Sequence, residues 1–474
     1  METGYSDPTR SSEAISHLLL VPHPAQGHVA PFMKLAYRLA DCQVKVTLVT
    51  TEFIYARMMK SMKPTFVAGM QTLPEMGEEQ QLVRIIPFPD GLEPDDVRRD
   101  AAAMSQSIYR VMPGYLEDLI KTVNQQEGNQ KIACVVADVS CGWALEIAAK
   151  LGLKGAVFFT ASPGILPMTL QISKFLESGI INTDGTPRRN ENIELSANLP
   201  PLSPAELFWN CPGNPSLQNR MFAFVPTIYQ ILKSCKWVLC NWFNELEPSV
   251  TDLLPNIVTI GPILANGKPS GNFWLEDFSC LSWLDRQTPK SVIYAAFGSS
   301  SMFSQHQLNE LALGLELTGK PFLWVVRPDL IDGNFAEFPE GFTERVANRG
   351  KIVEWAPQEQ VLAHPSVACY LTHCGWNSTM EGLSMGVPLL CWPYFGDQFY
   401  NKTCICEGWK IGLWLKGDEK GIVSRQEMKK KVDELLSSVV IRENVLKMKE
   451  LAEKSGRAGG SSSRNLEEFV KQIV

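Results

Sequence analysis

The chain has 474 residues, more than one hydrophobic core organises, so two domains are the default. Its 44 basic and 51 acidic side chains leave a formal charge of −7, which argues against nucleic acid or an anionic membrane as partner; 45% hydrophobic and 20% charged residues is ordinary for a folded globular protein. No apolar run is long enough to cross a bilayer, the polar start METGYSDPTRSSEAIS lacks the apolar core of a signal peptide, and the 12 cysteines form no CxxC pair, so a cytoplasmic enzyme with reduced, buried thiols is expected.

The first predicted element is a buried strand, HLLLVP (17–22), a short apolar run closed by Pro. The loop PHPAQG follows, and from His28 the apolar residues Phe32, Leu35, Ala36 and Leu39 recur at helical spacing. QVKVTLVT (43–50) reads as a second strand, which completes a βαβ unit and implies a parallel sheet covered on both faces. ACVVAD (133–138), GWALEIAAKLG (142–152) and AVFFTA (156–161) repeat strand, helix, strand, so residues 1–262 read as one doubly wound domain behind a frayed tail.

A Gly/Pro/Asn-rich linker, ILANGKPSGNF (263–273), precedes a restart of the alternation. SVIYAAFGS (291–299) is a strand, Ser304 and Gln307 of SQHQ form a capping box, the helix they open stops at Gly319, and PFLWVVRP (321–328) is the next strand. VACYLT (367–372), a helix from about Asn377 and VPLLCWP (387–393) complete another βαβ unit. Residues 263–455 are thus a second doubly wound domain, and 456–474 a Gly/Ser-rich stretch with a helix that can pack back on the first. The predicted fold is α/β, two Rossmann-like domains facing across a cleft. Residues 68–81 and 182–217 read as long loops, either binding loops or surface excursions.

THCGWNSTMEGLSMG (372–386) concentrates the chemistry. It reads as strand end, a turn at Gly375, and a helix start whose unpaired N–H groups favour an anion. His373 can donate to one phosphate, and Asn377 with Ser378 can hold a second. Glu381 lies four residues past Asn377 on the same face, where a carboxylate repels a diphosphate but suits a diol such as ribose. Singly these residues are helix caps or a solvated His; together at the carboxyl end of a parallel strand they indicate a nucleotide diphosphate site. Trp355 offers a flat face to a base, worth about 1–3 kcal/mol, and GDQ (396–398) offers a carboxylate and an amide suited to sugar hydroxyls.

In the first domain His28 sits at the loop-to-helix junction after the first strand. A helix N-terminus disfavours imidazolium, so His28 is expected neutral and able to accept a proton. Asp138, ending the strand ACVVAD, can fix its tautomer and stabilise the cation formed on reaction. His23 reads as structural.

Residues 355–398, W-A-P-Q … THCGWNS … E-G … F-G-D-Q, closely resemble the 44-residue signature box of plant secondary-product glycosyltransferases, UDP-sugar-dependent family 1 enzymes of the GT-B fold, and the resemblance extends over nearly the whole chain. It implies that Trp355, beside Ala356, stacks on uracil, that Gln358 and Glu381 hold the ribose, and that Ser299, His373, Asn377 and Ser378 contact the diphosphate. It sets Trp376, Asp397, Gln398 and Thr160 against the sugar. Gln398 at the last box position points to UDP-glucose, and Trp376 in place of Arg argues against UDP-glucuronate. PAQGHVAP (24–31) matches the family's catalytic His motif at His28, and Asp138 matches its partner.

The expected reaction is an inverting displacement. His28 takes the acceptor proton, the acceptor attacks the anomeric carbon, UDP leaves and a β-glucoside forms. No metal or other cofactor is expected, because the helix N-terminus and His373 stabilise the diphosphate, and there is no Asp-x-Asp motif. The protein is expected to be a monomer. The acceptor is expected to be small, apolar and phenolic, of flavonoid or phenylpropanoid type, bound near Phe88, Gly142–Trp143, Phe159 and residues 182–217; terpenoid or hormone acceptors and C-transfer are alternatives. GLELTGKP (314–321) is no P-loop, because it follows a helix and runs into Pro. A GxGxxG dehydrogenase motif is missing, and a Cys374 nucleophile points away from His373. A non-catalytic UDP-sugar-binding protein is the rival reading.

Overall fold

The computed structural model describes residues 16–62, 82–93, 98, 101–126, 131–195, 200–211, 214–331 and 337–473. The expected loop 68–81 lies outside them. The first sheet contains β1 (His17–Val21), β2 (Lys45–Thr51), β3 (Val83–Phe88), β4 (Ile132–Asp138), β5 (Lys154–Phe159), β6 (Val238–Cys240) and β7 (Ile257–Thr259), ordered β3-β2-β1-β4-β5-β6-β7. The second contains β8 (Val292–Ala296), β9 (Phe322–Val325), β10 (Gly350–Val353), β11 (Val367–Thr372), β12 (Leu389–Cys391) and β13 (Gly412–Trp414), ordered β10-β9-β8-β11-β12-β13. Every pairing is parallel. These two sheets are the Rossmann-like halves of a GT-B fold.

The apolar runs become central strands because helices cover both faces: β1 and β11 are buried from end to end. The helix Gln26–Asp41 turns Val29, Phe32, Met33, Leu35, Ala36 and Leu39 inward, as its periodicity requires. The capping box at Ser304 is half formed. Ser304 Oγ accepts the Gln307 N–H at 3.2 Å, but the Gln307 side chain turns away to bond both backbone groups of Val423. A tertiary partner has won over the local one.

Residues 182–192 run mostly exposed along the surface, while the stretch beyond is anchored where it is described. Leu202, Leu207 and Trp209 are fully buried, the Trp209 indole donates to Gly185 O at 3.0 Å, and Pro204–Glu206 forms a capped turn. Apolar residues scattered without a period still find a core when an aromatic anchor holds them. The linker 263–273 is also tied down: Ile263 and Phe273 are buried, and Gln26 bonds Phe273 N at 2.7 Å. The terminal helix Ser461–Ile473 packs on the first domain, burying Leu466, Phe469 and Ile473, with Asn465 donating to Thr259 O and the Trp237 indole to Gln472. All 12 cysteines are unpaired.

Candidate active site

Both sheets carry a switch point. The chain runs outward from β1 through β2 to β3, then returns to lay β4 on the other side of β1; β8 and β11 repeat this in the second sheet. Beyond the carboxyl ends of such strands a crevice opens. A cavity of about 570 Å³ lies there, between the domains. Its wall includes His28, Thr160, Ser299, Trp355, Ala356, Gln358, His373, Trp376, Asn377, Ser378, Glu381, Asp397 and Gln398. Asp138 stands one layer behind His28, fully buried.

His28 follows β1 and Asp138 ends β4, so the switch point alone makes them neighbours. His28 Nδ1 lies 2.7 Å from Asp138 Oδ2, while the ring keeps about a third of its surface open. The Ser140 N–H donates to the other carboxylate oxygen at 2.8 Å. With Nδ1 protonated toward Asp138, the lone pair of Nε2 is left for the cavity. Burial pulls the imidazole pKa down; the Asp138 charge and hydrogen bond, with Asp397 beyond, outweigh it and raise the pKa above its ordinary value. The buried carboxylate thus acts on the imidazole against the helix N-terminus and against burial. Neighbouring His23, edge-on to His28 at 5.2 Å, is held down at about 4 by burial and by the His28 charge.

Thr160 was expected to reach the sugar. Its hydroxyl lies 3.0 Å from His28 Nδ1 and donates to Asp138 Oδ2 at 3.2 Å, so it braces the pair.

At the second switch point the left-handed turn belongs to Cys374 (φ 63°), pinned by Asn401 donating to its carbonyl at 2.9 Å; Gly375 is extended (φ −59°). A glycine is required at 375 for space, because a Cβ there would meet the His373 ring. Gly298 guards the other side, where a Cβ would stand 2.5 Å from His373 Nε2. His373 is therefore slotted between two glycines, with Nδ1 buried and unpartnered. Burial and the nearby Arg327 charge hold it neutral, at about 4. Arg327, which the sequence reading missed, donates to Gly298 O and Ser301 O at 2.8 Å and so shapes the Ser299 loop.

Gln358 is more constrained than expected. Tyr294 and Tyr370 hydroxyls donate to its carbonyl at 3.1 and 3.0 Å, which turns its amide to Glu381 Oε2 at 2.6 Å and Ser378 Oγ at 3.0 Å. Its polar capacity is spent on orienting those two side chains. Glu381 also receives Lys34 from the first domain at 2.5 Å, and Lys34 reaches Glu359 at 2.6 Å. Burial would depress the Lys34 pKa, but the two carboxylates raise it. As a lone Lys on a helix, Lys34 carried no sequence signal.

Several box residues hold the domains together. Trp376, expected to face the sugar, stacks on Trp242 at 5.2 Å and donates its N–H to Asn241 O at 2.9 Å. Asn377 donates to Gly27 O at 2.9 Å. Asp397 accepts from Ser162 N at 3.0 Å and Asn401 at 3.1 Å; burial raises its pKa. Gln398 accepts from Tyr394 N and Phe395 N, leaving its amide nitrogen without a bond to any described residue. Trp355 lines the cavity and is backed by Trp274 of the interdomain segment, stacked at 4.7 Å and outside the wall. Phe88, Trp143 and Phe159 are packed in the core and none lines the cavity.

No group of three His, Cys, Asp or Glu that could hold a metal occurs among the described residues, and none of their helices is long and apolar enough to cross a membrane.

Residues 216–455 match the family model for UDP-glucoronosyl and UDP-glucosyl transferase. The chain is 40% identical over 469 residues to UDP-glycosyltransferase 83A1 of Arabidopsis thaliana, covering 96% of each. It is 33% identical over 485 residues to 7-deoxyloganetin glucosyltransferase of Gardenia jasminoides, covering 97% of this chain and 98% of the relative. Its fold matches the structure of Phytolacca americana UGT2 complexed with UDP-2fluoro-glucose and pterostilbene, with a TM-score of 0.78 and 25% identity over 97% of this chain and 100% of that one.

Proposed function

Starting from the fact that the chain belongs to the plant family 1 UDP-glycosyltransferases, we propose that it is an inverting, metal-independent glucosyltransferase that moves glucose from UDP-glucose to a hydroxyl of a small apolar acceptor. The observation that carries this is the His28–Asp138 pair across a cavity from a glycine-walled helix N-terminus. The acceptor hydroxyl gives its proton to His28 Nε2. Its oxygen forms the new bond to the anomeric carbon as the bond from that carbon to the diphosphate oxygen breaks. UDP takes the electron pair. The imidazolium is stabilised by Asp138, whose buried charge is its nearest counter-ion. The leaving diphosphate meets the first-turn N–H groups of the Trp376–Met385 helix, beside His373 in the cavity wall.

Glucose is favoured because the Gln398 amide nitrogen is the one polar group of its side chain left for a sugar hydroxyl, and because relatives are named glucosyltransferases. A phenolic acceptor is supported by the pterostilbene held by the Phytolacca structure, while the Gardenia relative is named for 7-deoxyloganetin, so the acceptor class spans both kinds. The test is to incubate wild type and His28→Ala with UDP-glucose and a mixed panel of phenolic and terpenoid aglycones, with and without EDTA, and to measure hexose addition by mass spectrometry. Wild-type transfer unaffected by EDTA and missing from His28→Ala is expected. Equal transfer by both proteins sinks His28 as the base. Binding of UDP-glucose without transfer favours a binding protein.

A further inference from the structure

Lys34 lies six residues beyond His28 on the helix Gln26–Asp41, and it is 6% exposed. An ammonium is not put there for solubility. Its Nζ crosses the cleft to two carboxylates of the second domain, Glu381 at 2.5 Å and Glu359 at 2.6 Å. Glu359 is fixed in turn by the Ala265 N–H of the linker, 2.9 Å from both of its oxygens. Glu381 has one oxygen on Lys34 and the other on Gln358. Each carboxylate oxygen keeps a second lone pair, so both still accept from a diol, and their direction is set by the two donors already in place. The third N–H of Lys34 has no bond to a described residue, and Lys34 itself lines the cavity.

We propose that Lys34 is a positioning residue for ribose recognition: it offsets part of the charge of Glu381 and Glu359 and aims Glu381, and through its helix sets the base against the bound nucleotide. The proposal rests on the reading of Glu381 as the ribose acceptor. It eases a conflict in that reading, since a bare carboxylate near a diphosphate repels it, whereas the ammonium shared by Glu381 and Glu359 cuts the charge of the pair from −2 to −1 and holds Glu381 toward the diol. It also explains why the pair spans the domains. The cleft side that carries His28 and the side that carries Glu381 come into register through one ion pair.

The experiment measures binding of UDP, 2′-deoxy-UDP and 3′-deoxy-UDP by isothermal titration calorimetry, which needs no acceptor. The proteins are wild type, Glu381→Gln, Lys34→Met and Lys34→Met/Glu359→Gln; the double variant avoids leaving two buried carboxylates uncompensated if Lys34→Met folds poorly. Wild type is expected to prefer UDP over at least one deoxy form by about ten- to a hundred-fold. Both Lys34 variants are expected to bind UDP about ten-fold more weakly and to bring that preference toward unity. A mutant that merely loosens the fold weakens all three ligands alike and keeps the preference, which overturns the proposal. Tighter UDP binding without Lys34, as if the ammonium competed with ribose, overturns it too. If Glu381→Gln loses the preference while the Lys34 variants keep it, Lys34 fails and the ribose reading stands. If wild type shows no preference, the ribose reading falls and takes the proposal with it.

Discussion

Replacing Asp138 with Asn keeps the shape of the side chain and removes its charge. Asp138 is fully buried and its oxygens take His28 at 2.7 Å, Thr160 at 3.2 Å and Ser140 N at 2.8 Å. Two unit charges about 4 Å apart attract by about 4 kcal/mol at an effective dielectric near 20, and the open third of the His28 ring lets solvent reduce that. A remaining 3–4 kcal/mol, lost as the imidazolium develops, corresponds to a fall of roughly 10²–10³ in kcat at 1.36 kcal/mol per decade. The asparagine amide also favours the wrong tautomer, which adds to the loss. The pH profile separates these effects from misfolding. His28 has its pKa raised from 6.5, so its base form grows in above that value and kcat/KM should climb through an apparent pKa higher than 6.5. In Asp138→Asn, only the more distant Asp397 still opposes burial and the limb should move to lower pH. The assay is UDP release against pH from about 5 to 9 in both proteins, with circular dichroism as a fold control. A variant within ten-fold of wild type, or one whose acid limb stays in place, would refute the reasoning.

Other expectations can be checked on the same footing. Trp274→Ala removes the stack behind Trp355, worth about 1 kcal/mol, so KM for UDP-glucose should rise about five-fold with kcat little changed. Gly298→Ala places a Cβ 2.5 Å from His373 Nε2 on a backbone with φ 68°, and UDP affinity by calorimetry should fall at least ten-fold, about 1.4 kcal/mol. Glu247 is buried with one oxygen unpartnered, and burial pushes its pKa up to about 8. It holds its proton in the fold over a range in which the unfolded chain, near 4.5, has released it, so it costs stability increasingly from pH 4.5 to 8 and no more above. Glu247→Gln should therefore melt with wild type near pH 4.5 and about 2 °C or more above it at pH 8, read by thermal denaturation.

What could be read from residues alone followed one physical line. Apolar runs bounded by Gly and Pro mark the central strands and put His28 and Asp138 in one parallel sheet; that their strands are neighbours is supplied by the structure. Thr160, Trp376 and Gln358 are tied to the ligand by the family resemblance, and all three line the cavity. What the resemblance does not carry is their partners within the protein, His28 and Asp138, Asn241, and Tyr294 and Tyr370, which tertiary approach sets. Lys34 shows the same limit from the other side. On a helical wheel it is one more charged residue, and only the opposing domain makes it a buried ion pair. The irregular stretch around Trp209 was taken for loop because its burial has neither a period of two nor of 3.6.

The terminal helix carries a mechanical consequence. The chain passes from first domain to second near Pro262 and comes back near Gly456, and a Cβ on Gly456 would stand 3.8 Å from Pro262 Cδ. Two crossings that touch act as one pivot. Sliding of one half past the other strains both strands of this joint, whereas rocking about it strains neither. Glu359 accepts from Ala265 N, three residues past Pro262, so the ion pair that Lys34 makes with Glu359 and Glu381 lies close to this joint and travels little for a given rotation. Cutting the chain before Ser461 would free the joint and strip Leu466, Phe469 and Ile473 from the first core together, so loss of guided closure and loss of stability arrive as a single event.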